Sequence, residues 1–172
     1  MEIRRLLPED TINDVSRIFA WSWKAAYRGI VPQDYLDAIP ENRWSNALAK
    51  ERSDLWVVSD GGQLVGVSSC GAARDETYQN WGEIKAIYLV PAWYRKGIGT
   101  KLLQTSMQSL FDKGFTNIYL WVLEENRAAR AFYEKNGFSC NGDKMPHPLG
   151  GKPFHVVRYI YQPKSIHHAN DR

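Results

Sequence analysis

The stretch YRKGIGTKLL, residues 94–103, places two glycines and two cations just before an apolar run with helical spacing. The first N–H groups of a helix have no internal partner and carry the positive end of its dipole, so such a mouth attracts anions. Gly97 and Gly99 remove the side chains that would keep a phosphate from those donors, and Arg95, Lys96 and Lys101 add charge. A diphosphate fits this description. A glycine pair in isolation also fits a plain turn with solvated cations, and the residues alone leave both readings open. Two other phosphate loops are excluded: no G-x-x-x-x-G-K-[ST] occurs, and Leu102 stands where a dinucleotide fingerprint needs its third glycine.

The rest of the chain limits what such a loop can serve. A length of 172 residues predicts one domain, with 44% hydrophobic and 13% aromatic residues as in a globular protein. The formal net charge of +3 is too small to imply nucleic-acid binding, and the cations beyond the loop are scattered rather than clustered. Cys70 and Cys140 lack CxxC or Cys/His spacing, which predicts two buried thiols and neither a disulfide framework nor a metal site. The N-terminus MEIRRLLPED has no apolar core of a leader, and no run reaches the ~18 apolar residues of a membrane span. The expectation is a soluble, cytoplasmic protein without membrane contact.

The elements that must hold the loop follow from periodicity. EIRRLL reads as a strand, and Ile12, Val15, Ile18, Phe19 and Trp23 recur at helical intervals after it. PQDYLDAI and NRWSNALAK read as two short helices. Two apolar runs joined by Asp60-Gly61-Gly62 predict a hairpin. Then come a polar loop, the strand GEIKAIYLV, the glycine loop, and a helix with Ile98, Leu102, Leu103, Leu110 and Phe111 as its buried stripe. TNIYLWVL is a strand, NRAARAFYEKN a helix ended by Gly137, and GFSCNGDKM and PFHVVRYIYQ a final pair of strands. Residues 1–163 read as one mixed α/β domain. Residues 164–172 read as a disordered tail, with His167 and His168 as tail residues rather than ligands.

With these elements in order, the chain resembles the GCN5-related N-acetyltransferase family. IKAIYLVPAWYRKGIGTKLL is similar to that family's fourth strand, coenzyme loop and following helix. Tyr94 departs from the usual Gln or Arg at its position, while the backbone donors from Arg95 to Thr100 remain. NRAARAFYEKNGF is similar to the family's N-x-x-A-x-x-F-Y-E-K-x-G-F. The likeness runs over roughly residues 2 to 162. It implies a single-domain fold with a mixed, mostly antiparallel seven-stranded sheet splayed between strands 4 and 5, flanked by about four helices. Acetyl-CoA would lie in the splay with its diphosphate at the glycine loop.

The resemblance also implies roles. Acetyl transfer to an amine needs a neutral amine, a donor for the developing oxyanion and a proton for the leaving thiolate. Family position points to the Ile87 N–H as that donor, and to the main chain of Leu89 for the pantetheine amides. Arg95, Lys96, Gly97, Ile98, Gly99 and Thr100 would hold the diphosphate, and Asn126 would contact the coenzyme while capping its helix. Tyr133 would protonate the thiolate, as a phenol with a pKa near ~10 can at neutral pH. Glu83, eleven residues before Tyr94, is the expected base, a partly buried carboxylate with a raised pKa. Trp21, Tyr27 and Tyr35 are candidates for the amine cleft, whereas Trp23 fits the core stripe. The expected activity is acetyl transfer from acetyl-CoA, without a metal, to a primary amine of a small molecule, peptide or protein, by direct attack in a ternary complex. Transfer of a longer acyl group and a non-catalytic acyl-CoA sensor are the alternatives, and a homodimer through the C-terminal hairpin is implied by analogy.

Overall fold

In the computed structural model residues 1–163 are described, so the tail expected at 164–172, with His167 and His168, lies outside the described residues. β1 (Glu2–Arg5) leads to α1 (Ile12–Ala26), which Thr11 caps by accepting from the Asp14 N–H. Val15, Ile18, Phe19 and Ser22 put one side of α1 on the sheet. Two short helices follow, α2 (Gln33–Asp37) and α3 (Ser45–Lys50), with Pro40 among the turn residues between them. β2 (Leu55–Asp60) and β3 (Gln63–Ala72) form the expected hairpin, and Gly61 and Gly62 take φ of 56° and 82°, the left-handed pair that a two-residue turn demands.

β4 (Gly82–Leu89), α4 (Ile98–Asp112), β5 (Ile118–Leu123), α5 (Arg127–Lys135), β6 (Ser139–Pro146) and β7 (His155–Tyr161) complete the chain. Among the described residues the α-helices thus number five rather than about four, since α2 and α3 remain separate. The strands form one sheet in the order β1-β2-β3-β4-β5-β7-β6, antiparallel throughout except for β4 and β5. That parallel pair is joined at only two rungs, Gly82 with Ile118 and Glu83 with Tyr119. Beyond them the strands part. Opposite β3 the register slips between Ser69–Ala86 and Cys70–Ile84, which leaves Lys85 as an extra residue in β4. Such a bulge bends its strand just where the split begins.

Apolar clusters pack both faces of the sheet, and two of them join its halves. Leu103, Met107 and Leu110 of α4 pack with Ile84, Ile118, Leu120, Val122, Tyr133 and Phe138 on one face. On the other face Val15, Ile18, Phe19 and Leu48 cover Leu55, Val57 and Val67. The third cluster joins Ala20, Val31, Leu36 and Ile39 to Leu123, Leu149, Phe154 and Val156, so the first helices also bind the far half of the sheet. Cys70 is buried as expected, but Cys140 is exposed because β6 is an edge strand that no helix covers.

At the last paired region a Cβ on Gly82 would come within 2.9 Å of Leu110 Cδ1 and 3.3 Å of Leu110 Cβ. Gly82→Val should therefore destabilise the fold by about 1–3 kcal/mol through overpacking. A lower urea midpoint with an unchanged slope is the expected result, and an unchanged midpoint would show that α4 can yield.

Candidate active site

The mouth of α4 is built from backbone. Arg95 and Gly97 take φ of 60° and 74°. Left-handed residues turn main-chain N–H groups toward one side, as they do in anion-binding nests. A non-glycine residue held left-handed costs about 1 kcal/mol or more, a strain that functional loops retain. Gly97 is the N-cap and no side chain caps the helix, so the first-turn N–H groups of Ile98, Gly99 and Thr100 have no side-chain partner at the cap. Gly99 is needed for a different reason. Its φ is ordinary, and a Cβ there would meet Leu89 and Phe132 at an unstrained 3.5 Å, so its value is the bare floor it presents. Tyr94 is exposed, and Lys96 lies 4.5 Å over the Trp93 ring.

The open side of β4 supplies a second row of backbone groups. Val90 N–H bonds to Val65 C=O on β3, at 2.9 Å. Strand alternation then turns the N–H groups of Leu89 and Ile87 away from β3, toward the split. The Leu89 carbonyl is already engaged, accepting from the buried Ser22 hydroxyl at 2.8 Å. The main-chain role expected of Leu89 narrows to its N–H.

Tyr133 faces the α4 side, 9% exposed beside Phe132, Phe138 and Tyr159. Burial raises its phenol well above the ordinary value, with a further push from nearby Tyr88, so it stays protonated. Asn126 caps α5, its Oδ1 accepting from the Ala129 N–H at 3.1 Å, which leaves its NH₂ group free to donate.

Glu83 corrects an expectation. It is 2% exposed, and its carboxylate accepts from the Arg74 guanidinium at 2.6 Å, the Arg74 main-chain N–H at 3.0 Å and the Tyr119 hydroxyl at 3.0 Å. Burial on its own would raise this carboxyl, but the Arg74 bonds and charge hold it below the usual range. Tyr119 in turn is pushed up to about 12, by burial and then by the Glu83 charge. The expected raised pKa is reversed, because Arg74 reaches back over the β3–β4 loop to cover the glutamate. The same side of β5 and β7 carries Arg158, which lies 3.8–4.7 Å from the rings of Tyr78, Trp121 and Tyr119 and bonds Asp75 at 2.6 Å.

The three aromatic candidates lie apart from one another. Tyr27 packs edge-on against Trp23 at 4.8 Å, and burial raises its phenol well above the ordinary value, with a further push from nearby Tyr88. Trp21 is 37% exposed on the outer side of α1, with Nε1 on Glu41 at 3.0 Å, in a concavity shared with Arg17 and the Gly61–Gly62 turn. Tyr35 packs against Gly150 in the β6–β7 loop. Tyr88, which the sequence reading did not single out, has its hydroxyl fixed on the α1 face, accepting from Trp23 Nε1 at 3.0 Å. The available signal was parity, since Tyr88 alternates with Ile87 and Leu89 along an amphipathic strand.

Residues 15–138 match the sequence profile of the family described as Acetyltransferase (GNAT) family. The chain belongs to that family. It is 33% identical over 129 residues to the uncharacterized N-acetyltransferase YuaI of Bacillus subtilis, covering 72% of each chain. It is 30% identical over 145 residues to spermidine N(1)-acetyltransferase of Thermoplasma acidophilum, covering 80% of this chain and 88% of that one. The crystal structure of PaiA N-acetyltransferase from Thermoplasma acidophilum, in complex with coenzyme A, superposes with a TM-score of 0.71 over 94% of this chain and 98% of that one, at 24% identity. GNAT enzymes take their acetyl group from acetyl-CoA, and this chain is an acetyl-CoA-dependent acetyltransferase. Among the described residues no three His, Cys, Asp or Glu side chains are placed to hold a metal, and no helix is long and apolar enough to cross a membrane.

A glutamate whose carboxyl is depressed in the folded state contributes stability above its unfolded pKa of about 4.3, and that contribution is lost as pH falls through the folded value. Arg74→Gln should cost about 1–3 kcal/mol at pH 7, by leaving a buried acceptor short of partners. It should also flatten the acid limb of stability against pH. Urea midpoints at pH 7 and pH 4 check both, and an acid limb identical to wild type would assign the protection of Glu83 elsewhere.

Proposed function

We propose that this GNAT enzyme acetylates a primary amine of a small molecule, peptide or protein by direct attack, with amine and acetyl-CoA held together in the split between β4 and β5. The observation that carries this reading is a central strand whose free edge runs up to an uncapped helix mouth. Bound there, acetyl-CoA supplies a thioester whose carbonyl is open to an amine.

The chain's own groups divide the remaining work. The backbone of Arg95, Lys96, Gly97, Ile98, Gly99 and Thr100 receives the diphosphate over the bare floor at Gly99, with Arg95 and Lys96 adding charge. The Ile87 N–H meets the oxygen that gains negative charge, and a preorganised donor of this kind is worth about 3–4 kcal/mol to a transition state. The Leu89 N–H and the Asn126 amide orient the coenzyme arm. Tyr133 donates its proton to the leaving sulfur, and the proton that the nitrogen sheds in becoming an amide restores the phenol; burial keeps Tyr133 protonated until then. Glu83, ionised and sealed by Arg74, acts as a fixed charge at the apex of the split rather than as the base. The Thermoplasma relative is named for spermidine, which makes spermidine and a peptide with a free α-amine the first acceptors to try.

Calorimetric titration with acetyl-CoA, free coenzyme A and 3′-dephospho-coenzyme A tests the first half of this reading. Binding near one per chain is expected, and Gly99→Glu should abolish it by placing bulk and negative charge in the diphosphate seat. Retained affinity in Gly99→Glu would overturn the assignment of the loop. For the chemistry, Tyr133→Phe should keep acetyl-CoA affinity and lower turnover by ~10²-fold, as loss of a general acid does. Unchanged turnover would remove Tyr133 from the mechanism.

A further inference from the structure

Arg158 has more donors than partners. It stands on β7 opposite Trp121 of β5 and two residues past Val156, so its side chain lies on the face that α1 covers. It is 5% exposed, and a guanidinium is a flat fork of five N–H donors. Nη2 donates to Asp75 Oδ2 at 2.6 Å, and Nε lies 3.1 Å from Asp143 Oδ2 without the alignment of a hydrogen bond. Nη1 is buried and meets no acceptor among the described residues. The rings of Tyr78, Trp121 and Tyr119, at 3.8, 4.3 and 4.7 Å, account for the charge. They do not account for Nη1, since a buried N–H is ordinarily met by a lone pair.

The place of this donor limits what can meet it. The guanidinium lies over the Trp121 and Tyr119 rings of β5, the strand that borders the split, and Tyr119 reaches across to Glu83 on β4. Nε and Nη2 share the edge of the fork along which both aspartates lie, which leaves Nη1 on the other edge. Trp121 is two residues past Tyr119, the last rung, and a rise of about 3.3 Å per residue sets this level about 7 Å above the apex. Ile87 is four residues past Glu83, with Lys85 as the extra one, so its N–H stands about 10 Å above the apex. The guanidinium and the N–H that meets the thioester oxygen thus differ in height by about one residue's rise. Two straps frame this level. On one side the β3–β4 loop reaches over to β6, with the Tyr78 hydroxyl donating to Asp143 at 2.9 Å, and on the other Val31 and Leu36 pack with Leu123.

We propose that Arg158 Nη1 donates to a neutral carbonyl oxygen of the acceptor, so that the acceptor is an α-amine followed by an amide, as at the N-terminus of a peptide or protein. The assignment rests on the acetyltransferase reading and deepens it by naming the acceptor class. Charge decides between a carbonyl and a carboxylate. Three carboxylates, Glu83, Asp75 and Asp143, already face two guanidiniums, Arg74 and Arg158. A further anion is repelled there, whereas a carbonyl supplies the missing lone pair without charge. The same excess of negative charge favours the ammonium form in which a peptide amine arrives. Along an extended peptide the carbonyls follow the amine at a rise of about 3.3 Å per residue, which matches the offset between Ile87 and Arg158. Spermidine has no oxygen and gains nothing from this seat.

The test compares wild type with Arg158→Lys, which keeps a charge for Asp75 but loses the fork, and with Arg158→Met, each checked for folding by thermal melting. The acceptors are alanyl-alaninamide, alanine and 2-aminopropane, which share an amine on a branched carbon and differ in the oxygen they carry, with spermidine as a fourth. Acetyl-CoA affinity and kcat/KM for the free-base amine are measured. Wild type should prefer alanyl-alaninamide to the other three. Both variants should keep acetyl-CoA affinity and lower the ratio of alanyl-alaninamide to 2-aminopropane by about tenfold, as for a lost hydrogen bond to a charged group. Taking the ratio cancels a general disturbance of the site. A folded variant with the wild-type ratio overturns the role of Arg158. So does a wild type that favours alanine, 2-aminopropane or spermidine over the amide, a result that needs no variant and decides the matter even where both variants fail to fold. Each of these outcomes leaves the acetyltransferase reading intact. Absence of acetyl-CoA binding in the wild type overturns that reading itself, and acetyl-CoA binding with no transfer to alanyl-alaninamide counts against the carbonyl seat alone.

Discussion

The structure depends on a sheet that starts to pair between β4 and β5 and then stops. Two rungs, at Gly82 and Glu83, tie the halves, and the bulge at Lys85 turns the rest of β4 aside. An interrupted pairing leaves backbone groups without partners in the middle of a domain, a state that natural sheets normally confine to their margins. Here it is tolerated because side chains do what the ladder does not. Ser22 satisfies the Leu89 carbonyl, and the cluster of Val31, Leu36, Leu123 and Phe154 joins the first helices to the far strands. The gap is held open and held together by the same helices.

Charge is placed with the opposite logic at the two ends of this gap. At the upper end, backbone N–H groups and the cations around Gly97 and Gly99 make a seat for negative charge that costs little reorganisation. At the apex a carboxylate is buried, but Arg74 and Tyr119 neutralise and saturate it. Between them the groups are phenols and rings, all neutral, whose proton affinities burial has raised. A low-dielectric middle strengthens any dipole aimed into it. One N–H on β4 can therefore matter more than the exposed cations at the mouth.

Local features were legible in the sequence because local physics sets them. The left-handed Gly61–Gly62 turn, the stripe of Ile98, Leu102, Leu103 and Leu110, and the cap at Asn126 each depend on residues within a few positions of one another. The glycine-rich start of α4 was legible for the same reason. What escaped was set by contacts across the fold. The state of Glu83 depends on Arg74 folding back over a loop, and Cys140 is exposed because its strand lies at the edge. Tyr88 gains a partner in Trp23, 65 residues away along the chain, and Trp21 and Tyr27 diverge because six positions on a helix separate two of its sides. Aromatic richness in α1 was visible; the direction of each ring was not.

The half-paired state of β4 gives it an unusual hydrogen-exchange signature. A strand in the centre of a seven-stranded sheet would ordinarily show uniform protection, yet the N–H groups of Ala86, Tyr88 and Val90 face β3 while those of Ile87 and Leu89 face the gap. In solution the same strand thus carries core-like and margin-like amides in alternation, with slow and fast exchange one residue apart. A molecule that lies along the gap as an added strand would erase this alternation, slowing the fast amides to the pace of their neighbours. The unpaired edge is, in that sense, written into the exchange pattern of a single β-strand.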